Sequence, residues 1–429
     1  MGILVILLMI VFIFLGMPVG FSLGVAGLIG LWFVGGIDSV GSVLSTVPFR
    51  TAAHYTLSTL PMFILMAQFI ATARIVDDIF SAAQRWLERL PGGLAIATVF
   101  ASAGMAAMAG SSTASAATLA SVAIPQMRKH GYSQKVAAGV VTVSGTLAIM
   151  IPPSIPFVVY GIVTETSIGK LLIAGIIPGV ITAVMYTLGI LLWHKLQPGI
   201  MPRPTQLYSW KERWASLKPL WAFIILSMTV IGSMYAGVAT PTEAAAIGAF
   251  GALVIPLALR RITKTGFSQA VLESIKVSTM IFTIIIGAMI FGYFLTLTQT
   301  TQNLVRFLGG LPVPSWAILS MIIVLYLVLG TIMDQIAILL ITLPLTFPLV
   351  INMGYNPLWF GVVITKIVEI GMITPPVGMN AYVVSATSGI PLEEVFKGTG
   401  VLLLVEIISL IILLAFPILS TFLPSMMIG

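Results

Sequence analysis

Long apolar runs, interrupted by short polar or proline-rich clusters, fill most of the chain. A hydrocarbon core about 30 Å thick takes roughly 20 apolar residues per helix. Runs of that order lie at 2–17, 18–35, 57–73, 171–194, 219–236, 243–259, 276–298 and 400–423. Four further apolar segments, 94–129, 136–163, 314–352 and 357–388, are broken near their middles by glycine, proline or small polar residues. The pattern predicts an all-α integral membrane protein in which 94–129 and 314–352 are re-entrant helical hairpins and 136–163 and 357–388 are proline-broken helices. The amphipathic stretch Asp77 to Arg89, preceded by Arg74, reads as an interfacial arm helix along the cytoplasmic surface.

The interruptions recur. At an offset of 223 residues, Gly131-Tyr132 matches Gly354-Tyr355, Pro152-Pro153 matches Pro375-Pro376, and Pro125 matches Pro348. Leu90-Pro91 pairs with Leu311-Pro312 at a slightly shorter offset. Landmarks kept in order on segments of equal hydropathy indicate an internal duplication. The expected organisation is first scaffold helices and arm (1–90), a first transport repeat (91–194), second scaffold helices (195–310), then a second transport repeat and last helix (311–429).

Composition narrows the class. Of the residues 59% are hydrophobic and 8% charged, too little charge to wet the surface of a soluble domain of this size. With no cysteine, disulfides, thiolate metal sites and cysteine nucleophiles are excluded, and His54, His130 and His194 lie too far apart in sequence to suggest a histidine metal site. The net charge of +7 is the loop bias of a membrane protein rather than a nucleic-acid footprint. Placing Arg128, Lys129 and Lys135 in the cytoplasm puts 16 Lys/Arg on that side and three (Arg50, Lys170, Arg306) on the other, with Lys366 inside a span. The second hairpin then opens to the opposite face, so the repeat is inverted, and both termini fall outside the cytoplasm. The N-terminus has no basic n-region or cleavage site and reads as a first membrane helix. Trp193, Trp210 and Trp214 near span ends read as interface anchors.

The chemistry lies in the interruptions, because irregular backbone at membrane depth is tolerated only against protein or a wet cavity. The first pair is the tip Gly110-Ser111-Ser112-Thr113-Ala114-Ser115 and the break around Pro152-Pro153-Ser154. Consecutive prolines remove amide donors and free carbonyls near Thr146 to Met150, while the tip supplies hydroxyl oxygens. Neutral oxygens suit a weakly held alkali cation, and half-helix N-termini after the tip and after Pro153 suit a carboxylate substrate. The bland alternative for the Ser/Thr cluster is small-residue helix packing.

The second pair is Leu329 to Gln335 and Ile373-Thr374-Pro375-Pro376-Val377-Gly378-Met379-Asn380. Asp334 falls opposite Ser111 under the offset and could ligate a cation, carry a proton or cap the next half-helix. The candidate cation ligands are Gly110, Ser111, Ser112, Thr113, Thr146, Ile151, Pro152, Gly330, Asp334, Thr374, Pro375 and Gly378; the candidate substrate contacts are Ser115, Ser154 and Asn380. Lys366 and Glu369 are spaced for an intrahelical ion pair, with a gating or proton role as the alternative; Glu243 is placed for a first-turn acid, and Glu406 has no assigned role.

These residues resemble the large membrane subunit of TRAP (tripartite ATP-independent periplasmic) transporters, of the ion transporter superfamily. The stretches that carry the likeness are Phe14-Leu15-Gly16-Met17-Pro18-Val19-Gly20, Leu60-Pro61-Met62-Phe63-Ile64-Leu65, Arg89-Leu90-Pro91-Gly92-Gly93-Leu94, the Gly110-Ser111 tip, Ile151-Pro152-Pro153-Ser154 and Thr374 to Asn380. The resemblance covers nearly the whole chain. It implies sodium-driven uptake of an organic acid (a C4-dicarboxylate, sialic acid or another sugar acid) across the bacterial inner membrane by an elevator-type transporter. It also implies a small four-helix membrane subunit, a periplasmic substrate-binding protein, surrounding lipid, no nucleic acid and no cofactor beyond Na+ as coupling ion. Where other members carry an Ala-Val-Ala-Asp-like run, this chain has Ser112-Thr113-Ala114-Ser115, so the likeness brings no carboxylate to the first tip. The alternative within the class is a stand-alone sodium/carboxylate symporter. A channel would need a continuous polar pore, and an intramembrane enzyme a catalytic dyad or metal cluster; neither pattern is present in the sequence.

Overall fold

A computed structural model describes residues 1–202, 208–309 and 312–427; Arg203 and Leu311 lie outside the described residues. Helices α1 (Gly2–Phe14), α2 (Val19–Ala52) and α3 (Thr59–Thr72) lead into the arm α4 (Ile75–Leu87). The first hairpin is α5 (Gly93–Ala109) and α6 (Ser112–Lys129). The first broken helix follows as α7 (Gln134–Gly145), the single turn α8 (Leu147–Met150) and α9 (Ile155–Thr164), bent by 43° at its break. Helices α10 (Ile168–Ala174), α11 (Ile176–Leu196), α12 (Trp210–Leu217), α13 (Trp221–Tyr235), α14 (Pro241–Ala258), α15 (Lys264–Leu297) and α16 (Thr300–Gly309) connect to the second half. That half contains the hairpin α17 (Ser315–Gly330) and α18 (Gln335–Asn352), the broken helix α19 (Pro357–Met372) and α20 (Met379–Ser388), then α21 (Leu392–Ala415) and α22 (Ile418–Ser425). Among the described residues there is no strand, and eight helices are long and apolar enough to cross a membrane, nine if the bent pair counts as one span.

Several spans differ from the hydropathy reading. Helix α2 runs past the expected end at 35 to Ala52, turning at Gly36, whose φ of +69° a residue with a side chain rarely adopts. In its polar second half Ser39 and Thr46 return their hydroxyls to Gly35 O and Ser42 O at 2.8 and 2.7 Å, which satisfies them within the helix. Helix α15 begins at Lys264 rather than 276, with the Thr263 hydroxyl accepting from Gly266 N at 3.1 Å. The last long helix starts at Leu392 and ends at Ala415, two residues before Pro417, with α22 as a separate turn.

Glycines let the long scaffold helices touch backbone to backbone: α2 lies along α15 and α3 along α14. A Cβ on Gly287 would overlap Gly20 O, and one on Gly27 would meet the Phe291 backbone at 3.0 Å. Thr59 and Thr242 join the second pair by a 2.6 Å hydroxyl bond.

The duplication is visible in the element bounds. Adding 223 to α6 gives 335–352, the bounds of α18, and Gln134 maps onto Pro357, the first residue of α19. The returning leg of each hairpin packs on the far half of the other repeat's broken helix, α6 on α20 and α18 on α9. This reciprocal exchange is what a two-fold relation between the repeats produces. The arm also has a counterpart: Ile75 maps to 298, and α16, to which the hydropathy pattern assigned no element, begins at Thr300.

Trp86 fixes the arm, donating Nε1–H to Arg213 O at 3.1 Å and meeting Trp210 and Trp214 edge-to-face at 6.3 and 5.3 Å. Trp210 and Trp214 are exposed as expected of anchors, but Trp193 is buried inside the protein at 3% exposure.

Candidate functional site

Each hairpin ends in a turn that presents a half-helix N-terminus to a proline break. At the first tip Gly110 takes a left-handed φ of +58°, and a Cβ there would stand 3.3 Å from Pro153 O and 3.1 Å from the Ile155 side chain. Ser111 caps α6, its Oγ 3.5 Å from Ala114 N and 3.1 Å from Thr113 Oγ1. Across the gap Ser154 caps α9, accepting from Phe157 N at 3.4 Å. Gly145 sits against the Ser112 carbonyl and Gly175 against that of Met150, while Leu147 O accepts from Ile151 N at 3.3 Å. Pro152, Pro153 and Ser154 are buried. Two of the carbonyls expected to be free thus face protein.

The second tip is built alike but stands more open. Gly330 presses on the end of α19, where a Cβ would lie 2.8 Å from Val368 O. Asp334 caps α18, its carboxylate accepting from Ile336 N at 3.4 Å, and Gly378 N donates to Thr331 O at 3.3 Å to tie break to tip. The Thr374 hydroxyl, just past the end of α19, donates back to Ile370 O in that helix's last turn. Ile332 is 50% exposed and Val377 41%, whereas the first break is covered.

Between the two sites runs a buried polar seam. The spacing of Lys366 and Glu369 predicts an intrahelical pair; the structure overturns it. Lys366 Nζ, fully buried, pairs with Glu406 of α21 and donates to Thr182 Oγ1 of α11 at 3.0 Å. The Glu406 carboxylate also accepts from Tyr186 OH and from Thr146 Oγ1, the latter at 2.9 Å. A residue three positions along a helix is only one of several neighbours, and the facing helix brings Glu406 nearer. Glu369 instead turns to the first tip: Oε1 accepts from Ser112 Oγ at 3.0 Å and Oε2 from Asn380 Nδ2 at 3.4 Å. Ser115 is also buried, with no hydrogen-bond partner for its hydroxyl. Among the described residues there is no cluster of three or more His, Asp or Glu that could hold a transition metal.

Residues 6–419 match the family described as "Tripartite ATP-independent periplasmic transporter, DctM component". The chain belongs to this family. The C4-dicarboxylate TRAP transporter large permease protein DctM of Pseudomonas aeruginosa is 36% identical over 406 residues, 94% of each chain. The sialic acid TRAP transporter large permease protein SiaM of Vibrio cholerae is 30% identical, covering 97% of each. Two solved transporters share the fold: YdaH of Alcanivorax borkumensis (TM-score 0.60, 13% identity, 90% of this chain and 88% of that one) and MtrF of Neisseria gonorrhoeae (TM-score 0.58, 14% identity, 97% and 94%). As a TRAP large permease the protein is a multi-pass component of membrane transport and not an enzyme.

Within this TRAP permease the candidate residues divide. Gly110, Ser111, Thr113, Ile151, Pro152 and Ser154 gather at the first tip and break, and Gly330, Asp334, Thr374, Pro375 and Gly378 at the second. Ser112 and Asn380 meet each other across the repeats, with Oγ and Oδ1 3.4 Å apart, and the hydroxyl of Thr146 turns toward Tyr186 and Glu406. Glu369, Lys366, Glu406, Tyr186 and Thr182 were missed as parts of one buried system. One signal could have found Glu369: it is the 223-offset counterpart of Thr146.

Proposed function

We propose that this chain is the translocating subunit of a sodium-coupled, binding-protein-dependent TRAP system that imports an organic acid, either a C4-dicarboxylate or a sugar acid such as sialic acid. The observation that carries the reading is the pairing of two tips and two breaks, each offering neutral oxygens or a carboxylate beside half-helix N-termini. Such sites hold an alkali cation weakly enough to release it and favour a carboxylate at the helix ends. The relatives' names, C4-dicarboxylate and sialic acid permeases, support an acid substrate. In this reading the sodium ligands are drawn from the tip and break residues, and the substrate meets Ser115, Ser154 or Asn380. The hairpins and broken helices move as an elevator against the α2–α15 and α3–α14 frame. A small four-helix membrane subunit and a periplasmic binding protein complete the system in the bacterial inner membrane, with both termini on the periplasmic side.

Uptake in proteoliposomes containing the small subunit tests this. Asp334→Ala, and separately Ser111→Ala with Ser112→Ala, abolish sodium-driven accumulation while the protein keeps its fold by circular dichroism. Full accumulation without a sodium gradient refutes the coupling. Transport indifferent to the binding protein refutes the tripartite reading.

A further inference from the structure

Glu369 is a carboxylate without a cation. It lies in the last turn of α19 at 0% exposure, and both its oxygens accept hydrogen bonds from neutral donors, Ser112 Oγ–H and Asn380 Nδ2–H. Both oxygens are thus placed as acceptors, the role each has when a cation is bound beside them. Among the described residues no basic side chain forms an ion pair with it. Lys366, one turn earlier, is committed to Glu406 and Thr182. In the core built from the two repeats the buried ammonium of Lys366 is thus paired with Glu406, and Glu369 has hydroxyl and amide partners. A buried ionised carboxylate is costly unless a positive charge accompanies it.

The surroundings supply hard oxygens. Ser112 Oγ and Asn380 Oδ1 lie 3.4 Å apart beside the Glu369 carboxylate. The Ser115 hydroxyl, one turn along the same face of α6, and the Thr365 hydroxyl, one turn back on α19, are buried without partners. We propose that Glu369, Ser112 and Asn380 form a third alkali-cation site, at the seam between the first hairpin tip and the second broken helix. One carboxylate and neutral oxygens balance a single positive charge, whereas a divalent ion would leave the site with excess charge. Because α6 comes from one repeat and α19 and α20 from the other, the site is complete only when the two repeats are packed together.

The inference rests on the sodium-coupled reading, and its test separates the two. In proteoliposomes with the small subunit and binding protein, ²²Na⁺ entry per substrate molecule is measured for the native chain and for Glu369→Gln. The expected result is a ratio lower by one sodium in the variant. Glu369→Asp, which keeps the charge but withdraws it by a methylene, keeps the native ratio and raises the half-saturating sodium concentration about tenfold or more. An unchanged ratio in Glu369→Gln, with or without lost proton movement, overturns the third site and leaves the coupled reading intact. If Glu369→Gln does not fold, an unchanged sodium affinity in Glu369→Asp overturns it instead. Uptake by the native chain that ignores sodium overturns both.

Discussion

Replacing Lys366 with methionine removes the one ammonium that is buried among the described residues of the two repeats and leaves Glu406 beside hydroxyls. Both side chains are nearly inaccessible, at 1% and 0% exposure, so water does not screen the charge that remains. Breaking a buried pair from one side costs about 3–5 kcal/mol, because the orphaned charge keeps its desolvation penalty. Lys366→Met with Glu406→Gln removes both charges and keeps a carbonyl oxygen for the Thr146 and Tyr186 hydroxyls. That double variant loses mainly the bond to Thr182, about 1–2 kcal/mol. Equilibrium unfolding in mixed detergent micelles, followed by tryptophan fluorescence, measures all three proteins. The double variant is expected to recover more than half of what Lys366→Met loses. Pairing with Glu369, as the sequence spacing suggests, would make Lys366→Met with Glu369→Gln the variant that recovers. A loss below about 1 kcal/mol for the single variant, or no recovery in the first double, refutes the assigned pair.

Gly398→Ala is expected to separate α7 from α21, since its Cβ would overlap Lys135 O; overpacking of this kind costs about 1–3 kcal/mol or more in the same unfolding measurement. Gly400→Ala, with nothing within 4 Å of its Cβ, is expected to be neutral or slightly stabilising. Burial holds the Glu88 carboxyl above its ordinary 4.5, with His130 and Arg213 offsetting only part of the effect. Its folded state therefore favours the proton: the contribution of Glu88 to stability is greatest below pH 4.5, falls as pH rises through that value, and levels off above the folded pKa. Glu88→Gln is expected to flatten this slope in melting curves taken from pH 4 upward, and a slope unchanged by the substitution refutes the assignment.

Local chemistry made much of the site legible. Gly110, the Pro-Pro pairs and the half-helix starts follow from what proline and glycine do to a backbone wherever they stand. Asp334 acts as the cap that its position before an apolar run allows. The arm was legible from amphipathicity, while its counterpart α16 was short enough to pass as loop.

By itself, then, the sequence determined the membrane class, the duplication at 223 residues, the tips and the breaks. Each of these is a property of chain-local hydropathy, turn chemistry or charge bias. Only the tertiary structure decided which charges meet: Lys366 of α19 with Glu406 of α21, and Glu369 with Ser112 across the two repeats. Spacing along a helix names the pairs that can form. Where water is absent, the pair that does form is set by distances between helices, and those distances depend on the packing of the whole chain.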